Sequence, residues 1–142
     1  MYKVIVWVML ERENKILLLK KPNGEWTLTG GGHVENNESL KDAALRKVQE
    51  ETNLKLNSKD LEFLCVMDRE MDNGYKVHVF FKASKWEGEI NNNEPEIHSE
   101  IKWCDIDNIP ENIGILAAAA IDSSKTGKLY HFKDEPEIHN KH

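Results

Sequence analysis

The chain reads as short apolar runs separated by polar breaks, with a single long stretch of helical period in its first half. Residues 2–10 are rich in Val, Ile and Trp and read as a strand. A polar turn at 11–15 separates them from a second apolar run at 16–21. Residues 22–24, Pro-Asn-Gly, carry turn chemistry. A short strand at 25–29 then runs into Gly30, Gly31 and Gly32, expected to form a loop. Helix signals begin at Ser39, which with Asp42 three residues later has the layout of a capping box. Leu40, Ala43, Ala44 and Val48 make an apolar stripe of helical spacing. Arg46, Lys47, Glu50 and Glu51 fall on another face.

After Leu54 the period returns to two. Runs at 61–68 and 75–83 flank a polar segment whose Asp72-Asn73-Gly74 tip reads as a hairpin turn. Residues 85–100 are a polar loop, 101–106 a short strand, 107–112 a connector and 113–125 a second helix. From residue 127 onward periodicity is weak, and the tail is expected to fray. The pentapeptide Glu-Pro-Glu-Ile-His occurs at 94–98 and again at 135–139, too short to define a structural repeat. Strands interleaved with two helices point to an α/β or α+β arrangement. No composition shift marks a linker, so residues 1–142 are expected to form a single domain, its tail after about residue 125 least defined.

Composition narrows the function classes. The chain has 142 residues, 31% of them charged, and a formal net charge of -6. An acidic chain does not suit a nucleic-acid polymer, and an anionic small molecule would be repelled unless cations intervened. The apolar N-terminal run is only ten residues, too short to span a bilayer, and has no convincing cleavage site. Cys65 and Cys104 have no metal-ligand spacing, which fits a reducing cytoplasm.

The adjacent pair Glu50-Glu51 poses the chemical question, because like charges on one helix face repel unless something cationic holds them. Strand, glycines and a carboxylate-bearing helix, taken together, resemble the signature of the Nudix (MutT-like) hydrolases, G-x5-E-x7-R-E-U-x-E-E-x-G-U with U bulky and apolar. Residues 32–54 match it without gaps at Gly32, Glu38, Arg46, Val48, Glu50, Glu51 and Leu54. The lead-in at 17–35 and the segment 94–110 also look like the family, so the resemblance covers the chain to about residue 120.

The resemblance implies an α/β/α sandwich with a mixed β-sheet. It also implies hydrolysis of a diphosphate bond in a nucleoside diphosphate derivative, with a nucleoside triphosphate preferred over a nucleotide sugar. Mg²⁺ or Mn²⁺ would neutralise the phosphate charge and acidify water. On the matching positions, Glu50, Glu51 and the backbone carbonyl of Gly32 would hold metal, and Arg46 would pair with Glu38 to fasten the glycine segment to the helix. Glu50, Glu51, Arg46 and Glu38 form the expected catalytic set. An additional acidic residue is expected from the later loop, where Glu94, Glu96 and Glu100 compete; Glu100, anchored at a strand start, is preferred. Of Lys20 and Lys21, Lys21 is preferred as a phosphate contact. His33 could touch metal or phosphate, and Trp26, Phe80 or Trp103 could stack on a base, although such residues are more often loop surface and core. The expected partner is a nucleotide, without nucleic-acid polymer or membrane, on a monomer or homodimer.

Three departures change the picture. Lys47 stands where the signature has Glu; a protonated lysine cannot ligate metal and is expected to pair with Glu50 or Glu51 instead. Asn53 replaces the late Gly, and Asn tolerates the left-handed conformation a helix end requires. Thr29 and Asn37 replace a common Pro and Gly in positions that suit a loop. Lys47 keeps two other readings open: a nucleotide-binding module with weak or lost hydrolysis, and a scaffold that retains the helix for stability alone.

Overall fold

A computed structural model describes residues 2–72 and 74–133. Strand β1 (Tyr2–Arg12) is the hub. It turns into β2 (Lys15–Lys20) through Glu13 and Asn14, whose φ values of 50° and 64° are the paired left-handed residues of a two-residue hairpin. Strands β3 (Trp26–Thr27) and β4 (Thr29–His33) follow. The three glycines therefore lie within a strand, not a loop: β4 pairs antiparallel with β1, with Gly32 opposite Val6. Helix α1 (Leu40–Thr52) comes next, then β5 (Glu62–Met71), β6 (Gly74–Ala83), β7 (Glu100–Asp105), helix α2 (Ile115–Thr126) and β8 (Tyr130–Lys133).

The sheet is mixed. Strand β6 runs parallel to β1 from Tyr2↔Tyr75 to Leu10↔Ala83, β5 is antiparallel to β6, and β8 is parallel to β5. Strands β3 and β7 flank β2. The expected fraying tail instead contributes an edge strand as far as Lys133. Its His131 is buried and shares a 2.7 Å hydrogen bond with Ser123 of α2. The second Glu-Pro-Glu-Ile-His segment and Asn73 of the expected hairpin tip lie outside the described residues.

Each helix covers one face of the sheet. Val6, Val8 and Leu10 pack with Ala43, Ala44 and Val48 of α1, whereas Met9 and Phe80 pack with Ala117, Ala120 and Ile121 of α2. Burial on both faces is why β1 reads as a nearly continuous apolar run rather than an alternating one. Among the described residues, no helix is long and apolar enough to cross a membrane.

Both ends of α1 are set by its sequence. Ser39 is the N-cap, its hydroxyl accepting the Asp42 N–H at 3.0 Å, as the capping pattern predicts. Asn53 ends the helix in the left-handed conformation, φ 68°, and its N–H donates to the Gln49 carbonyl. Leu40 departs from the expected stripe: it is exposed at the first turn, and the buried face is completed by Glu51 and Thr52.

Candidate active site

The site is assembled where the last two turns of α1 meet β4 and the loop before β7. Arg46 organises the approach to it. Its Nε donates to Glu38 Oε2 at 2.8 Å and its Nη2 to Glu38 Oε1 at 3.1 Å, a two-point grip. The same Nη2 reaches the His33 carbonyl at 3.1 Å, and Nη1 lies 3.6 Å from Glu35. The Glu35 N–H closes the turn onto Glu38 Oε1 at 2.9 Å. Glu38 is held below the ordinary carboxylate range, first by the Arg46 hydrogen bond and then by Glu35. Arg46 is correspondingly held in its charged form by Glu38. Segment 33–38 is thus tied to the helix as the resemblance implies.

Glu51 does not share the polar face expected of it: three residues after Val48 and seven after Ala44, it continues the buried stripe of α1. It is only 5% exposed, and its Oε1 accepts the Gly30 N–H at 2.7 Å. Gly30 adopts φ 73°, and a Cβ there would meet Val8 Cγ2 at 2.9 Å and Val48 Cγ2 at 3.0 Å. Glycine therefore permits both the backbone conformation and the close approach that aim this N–H at the carboxylate. Burial raises the Glu51 pKa to about 7; the Gly30 hydrogen bond and Lys47 oppose the rise, while Glu94 and Glu50 add to it.

Glu50 remains more exposed and meets two cations. Its Oε2 lies 3.4 Å from Arg46 Nη1 and its Oε1 3.3 Å from Lys47 Nζ. Of the two expected partners, Lys47 pairs with Glu50.

Loop 91–99 is held against the C-terminal end of α1 by groups that donate to its last carbonyls, two of which, those of Glu51 and Thr52, have no partner within the helix. The Asn91 N–H donates to Thr52 O at 2.9 Å, the Asn93 N–H to Glu51 O at 3.0 Å, and Asn93 Nδ2 to Gln49 O at 3.3 Å. This docking brings in Glu94, whose charge acts on Glu51. It also brings in His98, buried, with a pKa lowered first by burial and further by Lys47.

The two expected substrate contacts, Lys21 and Glu100, both lie at the C-terminal end of β2. Lys21 pairs with Glu25 at 3.2 Å within the turn before β3. Glu100 faces Lys20 across the β2–β7 ladder, and Glu94 is the loop carboxylate that acts on Glu51. His33 is exposed at the end of β4. Phe80 is core, Trp26 is buried beneath the ammonium groups of Lys20 and Lys102, and Trp103 stacks on Trp86. His98 enters the sequence reading only as the end of the pentapeptide at 94–98, with no site role. The visible signal for its loop was the run Asn91-Asn92-Asn93, whose capping chemistry precedes Glu94.

The donor set suits a hard divalent cation. Glu50, Glu51, Glu94 and the backbone of β4 offer oxygen, and a cation would relieve the buried charge of Glu51. Among the described residues no cluster of three or more metal-ligating side chains is preassembled.

A sandwich of this topology with helix-borne carboxylates behind a glycine strand defines the class, and comparison gives the family. A model described as the NUDIX domain matches residues 1–123. The chain belongs to the Nudix family. It is 28% identical over 104 residues to the uncharacterized Nudix hydrolase YvcI of Bacillus subtilis, covering 71% of this chain and 65% of that protein. It is 27% identical over 106 residues to an ADP-ribose pyrophosphatase of Methanocaldococcus jannaschii, covering 72% of this chain and 62% of that one. The matches thus span just under two thirds of both relatives. The crystal structure of a MutT NUDIX hydrolase from Burkholderia pseudomallei superposes with a TM-score of 0.78 at 27% identity, covering 87% of this chain and 98% of that chain.

Proposed function

We propose that this chain is a single-domain, cytoplasmic, Mg²⁺- or Mn²⁺-dependent hydrolase of a diphosphate bond in a nucleoside diphosphate derivative, with nucleoside triphosphates as the preferred substrate class. The observation that carries the reading is the buried Glu51 carboxylate, fixed by the Gly30 N–H beside Glu50 and Glu94. A buried anion with one neutral hydrogen bond and further carboxylates nearby is costly unless a cation joins it.

Glu50, Glu51 and the Gly32 carbonyl would hold the divalent ion. When bound, it would offset the charge of the phosphate oxygens and lower the pKa of water. Arg46 and Glu38 keep the 33–38 segment in place and do not contact substrate. Water attacks one phosphorus atom, forming a new P–O bond as the bond to the bridging oxygen breaks. We assign Glu94, on the loop docked against Glu51, to take the proton that water releases. Lys21 and Glu100 are retained as outer substrate contacts, reached by a nucleotide that extends beyond the α1 carboxylates.

The 3.3 Å pairing of Lys47 with Glu50 favours a second reading, a module that binds nucleotide and hydrolyses it weakly or not at all. A panel of nucleoside triphosphates, nucleotide sugars and ADP-ribose, assayed with Mg²⁺ or Mn²⁺ for phosphate and pyrophosphate release, separates the two. Pyrophosphate release from a triphosphate supports hydrolysis. Nucleotide binding without turnover across the panel supports the module.

A further inference from the structure

Lys47 has a defined place in the site. Its stem crosses Gly32 so closely that a Cβ on that glycine would come 2.6–2.7 Å from Lys47 Cγ, Cδ and Cε. Gly32 therefore makes the groove in which the lysine runs. The side chain is only 21% exposed, and its ammonium lies 3.3 Å from Glu50 Oε1. Its charge is felt by both Glu51 and His98. A surface lysine paired at i,i+3 explores many rotamers; this one is confined by its packing.

The charges around it lead to a count. Glu50, Glu51 and Glu94 bring three negative charges, while Arg46 is divided among Glu38, Glu35 and Glu50. One ammonium and one divalent ion together balance three carboxylates. A carboxylate at position 47 with a divalent ion bound would leave one net positive charge there. Lysine supplies that charge with no ion, and it repels a further cation beside Glu50. An ammonium has three donors, so pairing with Glu50 leaves two for phosphate oxygen.

We infer that Lys47 is a resident cation of the site: paired with Glu50 Oε1, its ammonium restricts the site to the one divalent ion assigned above to Glu50, Glu51 and the Gly32 carbonyl, and contacts a substrate phosphate. This rests on the metal-dependent reading above.

The test counts Mn²⁺ by electron paramagnetic resonance on the full chain, saturated with a methylene-bridged nucleoside triphosphate analogue. Wild type, Lys47→Glu and Lys47→Met are compared, and circular dichroism checks that each is folded. The expected result is one more Mn²⁺ per chain in Lys47→Glu than in wild type. Lys47→Met should bind the analogue about 10-fold more weakly than wild type, the scale of one lost charged hydrogen bond. Equal, non-zero Mn²⁺ counts in wild type and Lys47→Glu would overturn the resident-cation role while leaving the metal-dependent reading intact. Absence of Mn²⁺ from all three folded proteins would overturn both. Unchanged analogue affinity in Lys47→Met would overturn the phosphate contact, and this variant carries no added charge that could unfold the site.

Discussion

Arg46 grips Glu38 with two hydrogen bonds, 2.8 Å and 3.1 Å, across eight residues of sequence, and so ties the segment leaving the glycine strand to the helix that carries Glu50 and Glu51. The grip is structural, so its loss should register without any nucleotide. Arg46→Ala should lower the melting temperature of the ligand-free chain by on the order of 5 °C. Arg46→Lys should recover only part of it, because an ammonium cannot reproduce the planar two-point geometry. Differential scanning calorimetry on the three proteins checks this; an unchanged melting temperature in Arg46→Ala would show that Arg46 does not fasten the segment.

Glu51 should make stability depend on pH and metal together. Burial raises its folded-state pKa from 4.5 to about 7. Between those values the folded chain binds a proton that the unfolded chain has released. Its contribution is therefore fully present below about pH 4.5 and is lost as pH rises through about 7. In metal-free buffer at pH 8, Glu51→Gln should be at least as stable as wild type, since the amide oxygen can still accept from Gly30. Mg²⁺ should raise the wild-type melting temperature and leave the variant unmoved. A Glu51→Gln protein that gains as much from Mg²⁺ as wild type would rule out Glu51 as a ligand.

His78 gives a pH dependence of the opposite sign. It is 2% exposed, and its Nδ1 accepts the Trp7 indole N–H at 3.0 Å. Burial, with Arg69 and Lys76 nearby, lowers its pKa from 6.5 to about 4. Between those values the unfolded chain binds the extra proton. Its stabilising contribution is present above about pH 6.5 and is lost as pH falls through about 4. Urea unfolding of wild type at pH 5 should have a pH slope steeper than that of His78→Asn by up to about 1.4 kcal/mol per pH unit. Equal slopes would mean that His78 takes up its proton in the folded state.

Asn93 should matter to catalysis through position. It spends its N–H on Glu51 O and its side-chain amide on Gln49 O, and Glu94 follows it directly. Asn93→Ala removes both side-chain bonds, the one to Gln49 O and the one accepted from Asn91 Nδ2, and keeps the backbone bond to Glu51 O. It should lower kcat by about 10-fold with little change in KM, if loop docking sets the position of the proton acceptor. Glu94→Gln should fall further and flatten the acid limb of the pH–rate profile, which a merely structural role would not do. A full-rate Glu94→Gln would move the base assignment elsewhere.

The strands and helices were legible because each repeats a simple period over enough residues. The Ser39 cap and the Asn53 end were legible because local backbone chemistry decides both. Glu51 was assigned to the polar face from its charge, although its spacing of seven from Ala44 and three from Val48 continues the apolar stripe; what no period could show is the Gly30 N–H that receives the buried carboxylate. Strand β8 was missed because four residues carry little period and its hold comes from Ser123 on another element. That Glu94 is the loop carboxylate whose charge acts on Glu51 was not legible either, since it depends on which loop amides find the end of α1.

The central claim is that the buried Glu51 carboxylate holds a divalent ion for hydrolysis of a nucleotide diphosphate bond. Turnover of the best panel nucleotide by wild type and Glu51→Gln, both checked for folding and run over a Mn²⁺ titration, tests it most directly. The expected result is metal-dependent release of phosphate or pyrophosphate by wild type and a rate at least about 100-fold lower in Glu51→Gln at every Mn²⁺ concentration. Equal rates in the two proteins, or wild-type turnover undiminished in the presence of a chelator, would contradict it.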